Sequence, residues 1–301
     1  MALFERVALI GLGLIASSIA HACKRGGVAE HITGTARSAE TRKTAADLGY
    51  AEIFDTAEEA VAGADLVILC TPVGAMGDIV ARIAPHLREG VIVTDVGSVK
   101  RRVIEAVEPH LPAHAHFVPG HPVAGTEKSG PTSGFAELFD NRWCILTPVE
   151  TGSDDATEKL RAFWEALGAN VTEMDAAHHD LVLAATSHAP HLIAYTMVGV
   201  ADDLERITEE EVITFSAAGF RDFTRIAASD PTMWRDVFLN NKSATMEILG
   251  RFIEELLDLQ RAIRNEDGDK LHAYFTRTRD IRRGIIDAGQ DTSEANFGRR
   301  P

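Results

Sequence analysis

The run Gly120-His121-Pro122-Val123-Ala124-Gly125-Thr126-Glu127-Lys128-Ser129-Gly130 places a histidine and an acid in one short loop bounded by glycine and proline. Imidazole titrates near neutrality, so a histidine held there can act as a general base. A second cluster, Ser187-His188-Ala189-Pro190-His191, lies in the other half of the chain, with His178 and His179 just upstream. No acid or cysteine at ligand spacing completes a metal set there, so no metal is expected. Asp95-Val96-Gly97-Ser98-Val99-Lys100 adds a hydroxyl and an ammonium that could both face a reacting centre, while Asp95 is most simply a helix cap. Taken singly, these residues have ordinary readings: His121 as a loop histidine, Trp234 as core, and Glu209 to Glu211 as a solvated helix start behind Thr208.

Such residues need elements to position them. Val7 to Ile10 is a short apolar strand that runs into Gly11-Leu12-Gly13-Leu14-Ile15-Ala16, a GxGxxA turn, and then a helix to about Arg25. The first glycine permits the tight turn, the second lets backbone approach a pyrophosphate, and Ala16 lets the helix pack close to the sheet. The free N–H groups and dipole of the helix N-terminus suit phosphate. The second strand, His31 to Ala36, leads into Arg37 and Ser38. Ala36 stands where NAD sites usually keep an acid for the ribose 2′-hydroxyl. Arg37 can pair with a 2′-phosphate, and Thr35 and Ser38 can hydrogen-bond it, so NADP is expected over NAD. In the alternative, Arg37 stacks over the adenine and NAD is used. Leu66 to Cys70 and Val91 to Thr94 read as buried strands. Thr71 and Pro72 then fall at a strand's carboxyl end, beside the nicotinamide ribose.

Phe117-Val118 and Trp143 to Leu146 look like further strands, and Asn170 to Glu173 like a last one. From about Ala176 the pattern turns helical: Asp180 to Val200, Thr208 to Phe215, Asp230 to Arg264 and Lys270 to Ala288. The expected architecture is α/β. A Rossmann-type doubly wound sheet occupies 1–150, a connecting helix and strand 151–176, an all-helical substrate and dimerisation domain 177–290, and a polar tail 291–301. The long apolar helices after Asp230 point to a homodimer.

The 301 residues suffice for two modest domains. A formal net charge of −15 argues against nucleic acid or anionic membrane surfaces as partners. Any pocket for an anionic substrate must then be built from a few particular cations. Cys23, Cys70 and Cys144 stand singly with no CxxC pair, so no disulfide framework is indicated and a reducing cytoplasm is the simplest compartment. Cys70 is expected to be buried. No signal peptide is evident, and no apolar stretch is expected to reach the roughly 18 residues of a membrane span.

With these segments aligned, the chain resembles the prephenate dehydrogenase family, including the arogenate and cyclohexadienyl dehydrogenases. The resemblance is carried by GLGLIASS at 11–18, DVGSVK at 95–100, GHPVAGTEKSG at 120–130, SHAPH at 187–191 and GFRDFTRIAASDPTMWRD at 219–236. It implies oxidative decarboxylation of prephenate or arogenate, with hydride transfer to NAD(P), on the route to tyrosine. It also implies His121 as the base for the ring hydroxyl, with Ser98 bonded to the same hydroxyl and helping to orient His121. Arg225 would be the main carboxylate clamp, and His191, with His188 beside it, a substrate contact. Glu127 and Asp222 would hold Arg225 and its neighbours or gate the pocket. Trp234 would pack near substrate or across a subunit contact.

Two other readings stay open. A β-hydroxyacid dehydrogenase or imine reductase of similar plan would usually rely on a lysine in the helical half, where Lys242 is the obvious candidate. A non-catalytic NADP sensor would need no base beside the nicotinamide.

Overall fold

The computed structural model describes residues 2–126, 128–150, 152–208 and 217–287. Short runs rich in valine, isoleucine and leucine form a six-stranded parallel sheet: β1 (Phe4–Ile10), β2 (Ala29–Thr35), β3 (Glu52–Ile53), β4 (Leu66–Leu69), β5 (Ile92–Asp95) and β6 (His116–Phe117), in the order β3-β2-β1-β4-β5-β6. Period-two alternation splits the central strands β1, β4 and β5 between two cores. Val7 and Leu9 join the core built with α1 (Leu14–Gly26) and, later in the chain, α6 (Asp154–Ala166). Ala8 and Ile10 join the core built with α3 (Ala57–Ala60), α4 (Met76–Ile83) and α5 (Arg101–Val107). With both faces covered, every residue of β4 is buried, as its continuous apolar run requires. The strand order reverses between β1 and β4, so the carboxyl ends of those strands border the crevice where such sheets take ligands. Between β2 and β3 runs α2 (Ala39–Leu48).

The later strands do not extend this sheet. β7 (Gly120–Pro122), β8 (Trp143–Leu146) and β9 (Asn170–Glu173) form a separate three-stranded sheet, with β7 antiparallel and β9 parallel to β8. His121 therefore sits on a strand, opposite Ile145, rather than in a loop. Glycine and proline are poor strand formers, which hid it. Both are tolerated because β7 is an edge strand. A Cβ on Gly120 would lie 3.2 Å from the Asp95 carbonyl oxygen and from Thr94 Oγ1, so the missing side chain is what lets β7 tuck against β5.

After Glu173 the described residues contain no strand. α7 (Ala176–Leu183) starts at Asp175, whose carboxylate accepts from the amides of Ala177 and His178 at 2.8 and 3.0 Å. A π-helical turn, Ala184–His188, separates it from α8 (Ala189–Thr208). Pro190 has no N–H to close an α-helical bond, and the wide turn absorbs that loss. α9 (Ala218–Thr224) and a 3₁₀ turn, Arg225–Ala228, lead to α10 (Pro231–Asn240), which Asp230 caps. The single helix expected over Asp230 to Arg264 breaks at Asn241, where α11 (Lys242–Arg264) begins, and α12 (Gly268–Asp287) follows. The helix expected over Thr208 to Phe215 and the tail at 291–301 lie outside the described residues, apart from Thr208 at the end of α8.

Two sequence expectations need correction. Cys70 is half-buried, because it ends β4 at the crevice rather than in mid-strand. The helical run Ala176–Leu204 is long and apolar enough, at a mean hydropathy of 1.2, to cross a membrane by length and composition. Its alanines offset the interspersed histidines, so no unbroken apolar stretch announces it. The histidines it buries, His179 and His188, belong to the site described below.

Internal contacts group the chain into two units, one running to Met246 and one beginning at Glu247. In the second, Lys270 on α12 pairs with Asp258 on α11 at 2.7 Å. That unit exposes large apolar side chains, among them Leu256, Ile263, Phe275 and Ile281.

Candidate active site

All the expected nucleotide contacts gather at the carboxyl ends of parallel strands. Gly11 follows β1 with φ +100°, and a Cβ there would lie 2.6 Å from the Cys70 carbonyl oxygen. Only glycine can make this turn so close to the end of β4. A Cβ on Gly13 would instead meet nothing within 4 Å. Gly13 caps α1 with no side-chain hydrogen bond, so the helix presents its first amides uncovered, with Leu14 and Ile15 in its opening turn. Thr71 Oγ1 is buried there without a partner, and Pro72 starts the turn that follows β4. An open cradle, an uncapped helix end and an orphaned hydroxyl fit a dinucleotide. At the end of β2, Ala36 is half-buried and Arg37 exposed. Ser38 accepts from the Thr41 amide at 3.4 Å as the cap of α2. Arg42, which sequence reasoning passed over, bonds the carbonyls of Ala36 and Arg37 and pairs with Asp55.

The chemical centre lies where β7, the β5–α5 turn and α7 meet. His121 Nδ1 and His179 Nε2 are 2.9 Å apart, and His179 Nδ1 is 2.9 Å from Asp180 Oδ1. A carboxylate only accepts, so His179 carries its proton on Nδ1 and accepts at Nε2. His121 must then donate from Nδ1, which leaves Nε2 with a free lone pair. That atom has no hydrogen-bond partner among the described residues. The chain Asp180–His179–His121 thus fixes the tautomer a general base needs, by the same logic as an acid-oriented catalytic histidine. Asp180 is itself immobilised: it accepts the amides of Lys100 at 2.7 Å and Arg101 at 3.1 Å, capping α5 from a distant element. Burial, then the neighbouring His179, Lys100 and His188, hold His121 well below the ordinary histidine pKa. His179 is lowered too, mainly by burial, with Asp180 opposing.

Ser98 is half-buried in the β5–α5 turn and makes no hydrogen bond with His121 among the described residues. The bond that orients His121 comes from His179 instead. Lys100 does not face the reacting end. It is fully buried, and its ammonium bonds the Asp95 carboxylate and the Gly120 carbonyl, the latter at 2.5 Å. Asp95 is not a helix cap; it accepts the amides of Gly97 at 2.8 Å and Gly120 at 3.2 Å as well as the ammonium.

The two histidines of the second cluster make different hydrogen bonds. His188 is buried and takes a hydrogen bond at Nδ1 from Asn241 Nδ2 at 3.1 Å, so its proton sits on Nε2, a buried atom without a partner. The Ser98 backbone favours the charged ring but lies outside hydrogen-bonding geometry; burial dominates and pushes the pKa down to about 4. His191 stacks on Trp234, with ring centroids 3.7 Å apart and planes at 26°, and His188 meets the same indole edge-on at 6.1 Å. His191 Nδ1 bonds the Ser187 carbonyl at 2.8 Å. Burial lowers His191, and Arg225 is near enough to lower it further. Arg225 is exposed at the start of its 3₁₀ turn. Asp222 is exposed on α9, and Glu127 lies outside the described residues.

Trp234 joins the core of the parallel sheet through α10, and Asp236 on the same helix accepts the Gly74 amide at 3.2 Å. The aromatic shelf is thereby tied to the turn after Pro72. Sequence reasoning missed His179 as a partner of His121, and missed Asp180 and Asn241 entirely. His178 and His179 were visible only as neighbours of His188 and His191 in a cluster weighed for metal. Asn241 carried no signal beyond its place before the apolar helix α11. Lys242, the lysine a hydroxyacid enzyme would use, is exposed, while its neighbour Asn241 is buried.

Comparison with known proteins points one way for both halves. Residues 19–173 match the family model of the prephenate dehydrogenase nucleotide-binding domain, and residues 175–277 that of the prephenate dehydrogenase dimerization domain. A cyclohexadienyl dehydrogenase of Zymomonas mobilis is 42% identical over 284 residues, 94% of this chain and 96% of its own. A prephenate dehydrogenase of Bacillus subtilis is 35% identical over 93% of this chain and 76% of its own. The crystal structure of prephenate dehydrogenase from A. aeolicus in complex with hydroxyphenyl propionate and NAD+ superimposes with a TM-score of 0.86 at 33% identity, covering 93% of this chain and 98% of that one.

Proposed function

The chain belongs to the prephenate dehydrogenase family, and from that premise we propose that it oxidatively decarboxylates prephenate, arogenate or both, in tyrosine biosynthesis. The observation that carries this reading is the Asp180–His179–His121 chain, which leaves His121 Nε2 as an unprotonated acceptor. The substrate is a cyclohexadienol with a ring carboxylate para to a hydroxyl. His121 takes the hydroxyl proton through Nε2, which drives the hydride off the same carbon. Loss of the carboxylate as carbon dioxide then makes the ring aromatic. A bound nicotinamide supplies the hydride acceptor. Because burial keeps His121 neutral, the base is ready at physiological pH. His179 and Asp180 share the positive charge that develops as the proton arrives.

Ser98, half-buried in the β5–α5 turn, takes the role of a second partner for the hydroxyl. Arg225 binds a substrate carboxylate by a bidentate contact. The His191–Trp234 stack forms an aromatic wall for the ring. The nucleotide is held by Gly11, Gly13, Leu14, Ile15, Thr71 and Pro72, with Ala36, Arg37 and Ser38 around the adenine ribose. NADP is the preferred cofactor in this reading, supported by the missing acid at Ala36 and the exposed guanidinium of Arg37. The nucleotide-binding part occupies about 1–150 and the substrate and dimerisation part about 177–290. A homodimer covers the apolar side chains exposed on α11 and α12.

The test is a set of initial rates with prephenate and arogenate, each against NADP and NAD, followed by the absorbance of the reduced nicotinamide. Turnover of either substrate with release of carbon dioxide supports the reaction. No turnover in any combination, with cofactor still bound, overturns it.

A further inference from the structure

Beneath His121 lies a buried charge pair that the reaction does not touch. Lys100 and Asp95 are both fully buried, a costly state for two ions that persists only when every polar atom is met. Here the charged nitrogen and both carboxylate oxygens are each hydrogen-bonded. Asp95 accepts the Lys100 ammonium and the amides of Gly97 and Gly120, and Lys100 gives its second bond to the Gly120 carbonyl. Gly120 is therefore gripped at both its N–H and its C=O, and it immediately precedes His121. The backbone amide of Lys100 is bonded to Asp180, at the far end of the chain that orients His121. One residue thus touches the support of the base from two sides, through its ammonium and through its backbone.

We propose that Lys100 is a positioning residue for His121: its ammonium, locked to Asp95 and to the Gly120 carbonyl, fixes the strand that presents the base and sets a positive charge near it. This rests on the reading of His121 as the base. The groups facing His121 are His179 and Asp180 from α7, His188 from the π turn, Lys100 and Asp95 from the end of β5 and its turn, and Cys144 from β8. Burial pulls the Lys100 pKa down while Asp95 pulls it back. The Asp95 carboxylate bonded to its nitrogen favours the ammonium form. That cation opposes a second proton charge on His121. Two effects follow that a purely structural lysine would not produce: a placed imidazole, and an imidazole that resists protonation.

The experiment compares the full-length protein with the neutral pair Lys100→Met/Asp95→Asn, which removes both charges and so avoids stranding a buried carboxylate. Cofactor binding by fluorescence of the reduced nicotinamide serves as the folding control. The expected result is kcat lower by about tenfold to a hundredfold with KM little changed, from loss of placement. The acidic limb of kcat/KM should move upward, because the ammonium that lowers His121 is gone. NMR titration of the His121 ring should show the same upward shift, and that readout holds whether or not the protein turns over prephenate or arogenate. An unmoved His121 titration together with unchanged kcat overturns the proposal. A moved titration in a protein with no turnover of either substrate overturns the assigned reaction and leaves the role of Lys100 standing. If the neutral pair does not bind cofactor, Lys100→Arg decides, since it keeps the charge but displaces the head group. Reduced kcat with an unmoved limb supports the proposal, and wild-type kcat overturns it.

Discussion

The dinucleotide cradle and the His121 centre are built by opposite means. The cradle is made almost wholly of backbone: the turn at Gly11, the uncapped start of α1 and the carboxyl ends of parallel strands. The centre is made mostly of side chains brought from far apart in sequence: His121 bonds His179, Asn241 bonds His188, and Asp180 links His179, Asn241 and the Lys100 amide. A backbone site tolerates exchange of most residues and fails at one or two glycines. A side-chain network fails at any member and titrates with pH. The two regions should therefore break differently.

The sharpest contrast comes from His121→Asn. Asparagine keeps a donor toward His179 but supplies no base, so kcat should fall by about a thousandfold or more while the cofactor dissociation constant stays within about twofold. Steady-state rates and a cofactor titration on the same preparation check this. Equal losses in both would mean that the two regions are not separate. His179→Asn should fall between that variant and wild type, with kcat down by about tenfold to a hundredfold, because it removes the partner that holds the tautomer and not the base itself.

Acid should unfold the side-chain region first. His188 is buried and neutral, with its folded pKa lowered from 6.5 to about 4, mainly by burial. The unfolded chain binds that proton in the window between the two values and the folded chain does not. Stability is therefore complete above about pH 6.5 and is lost as pH falls toward 4, by roughly 3 kcal/mol from this group alone. Melting temperatures of wild type and His188→Gln across that window test it. Loss of the pH dependence in the variant identifies His188 as a source; parallel curves place the acid sensitivity elsewhere.

What was legible in the sequence follows the same division. The Gly11–Ala16 turn, β1, β4, β5 and the helical second half could be read because local rules govern them: continuous apolar runs, glycine geometry and 3.6-residue periodicity. The strand carrying His121 could not, since Gly120 and Pro122 disguise an edge strand whose pairing partner, β8, is distant in sequence. His121 was marked as the base, but the identity of its partner depends on α7 docking beside β7, and no local pattern encodes that. Lys100 illustrates the limit. Its place after a buried strand marked it for chemistry at the cofactor, whereas its length lets it turn inward to Asp95 and Gly120. The Asn241 break went unread because asparagine flanked by apolar helix passes as helix.

On the cradle side the largest expected loss is at Gly11. Gly11→Ala sets a Cβ 2.6 Å from the Cys70 carbonyl oxygen at a φ of +100°, and strain of this kind costs about 1–3 kcal/mol. The loss should appear in cofactor affinity and in melting temperature, with the His121 titration unmoved. A shifted titration would show that the cradle and the base are coupled, most directly through the Asp236–Gly74 bond that ties α10 to the turn beyond Pro72.

The smallest effect concerns which nicotinamide cofactor is used. Four polar groups lie near the end of β2, but three of them have structural work: the buried Thr35 hydroxyl donates to the Phe54 carbonyl at 2.9 Å. Ser38 caps α2, and Arg42 is bonded to the Ala36 and Arg37 carbonyls and paired with Asp55. Arg37 is exposed, so it is the cation left to meet a 2′-phosphate. An exposed ion pair contributes little, about 1 kcal/mol, so Arg37→Ala should lower the NADP-to-NAD ratio of kcat/KM by roughly five- to tenfold and leave the NAD values nearly unchanged. A fall in both cofactors by the same factor would mean that Arg37 stacks on the adenine common to both, and the preference would then rest on Ala36 alone. Restoring an acid there, Ala36→Asp, separates these outcomes, since a carboxylate repels the 2′-phosphate and accepts from the 2′-hydroxyl whatever Arg37 does.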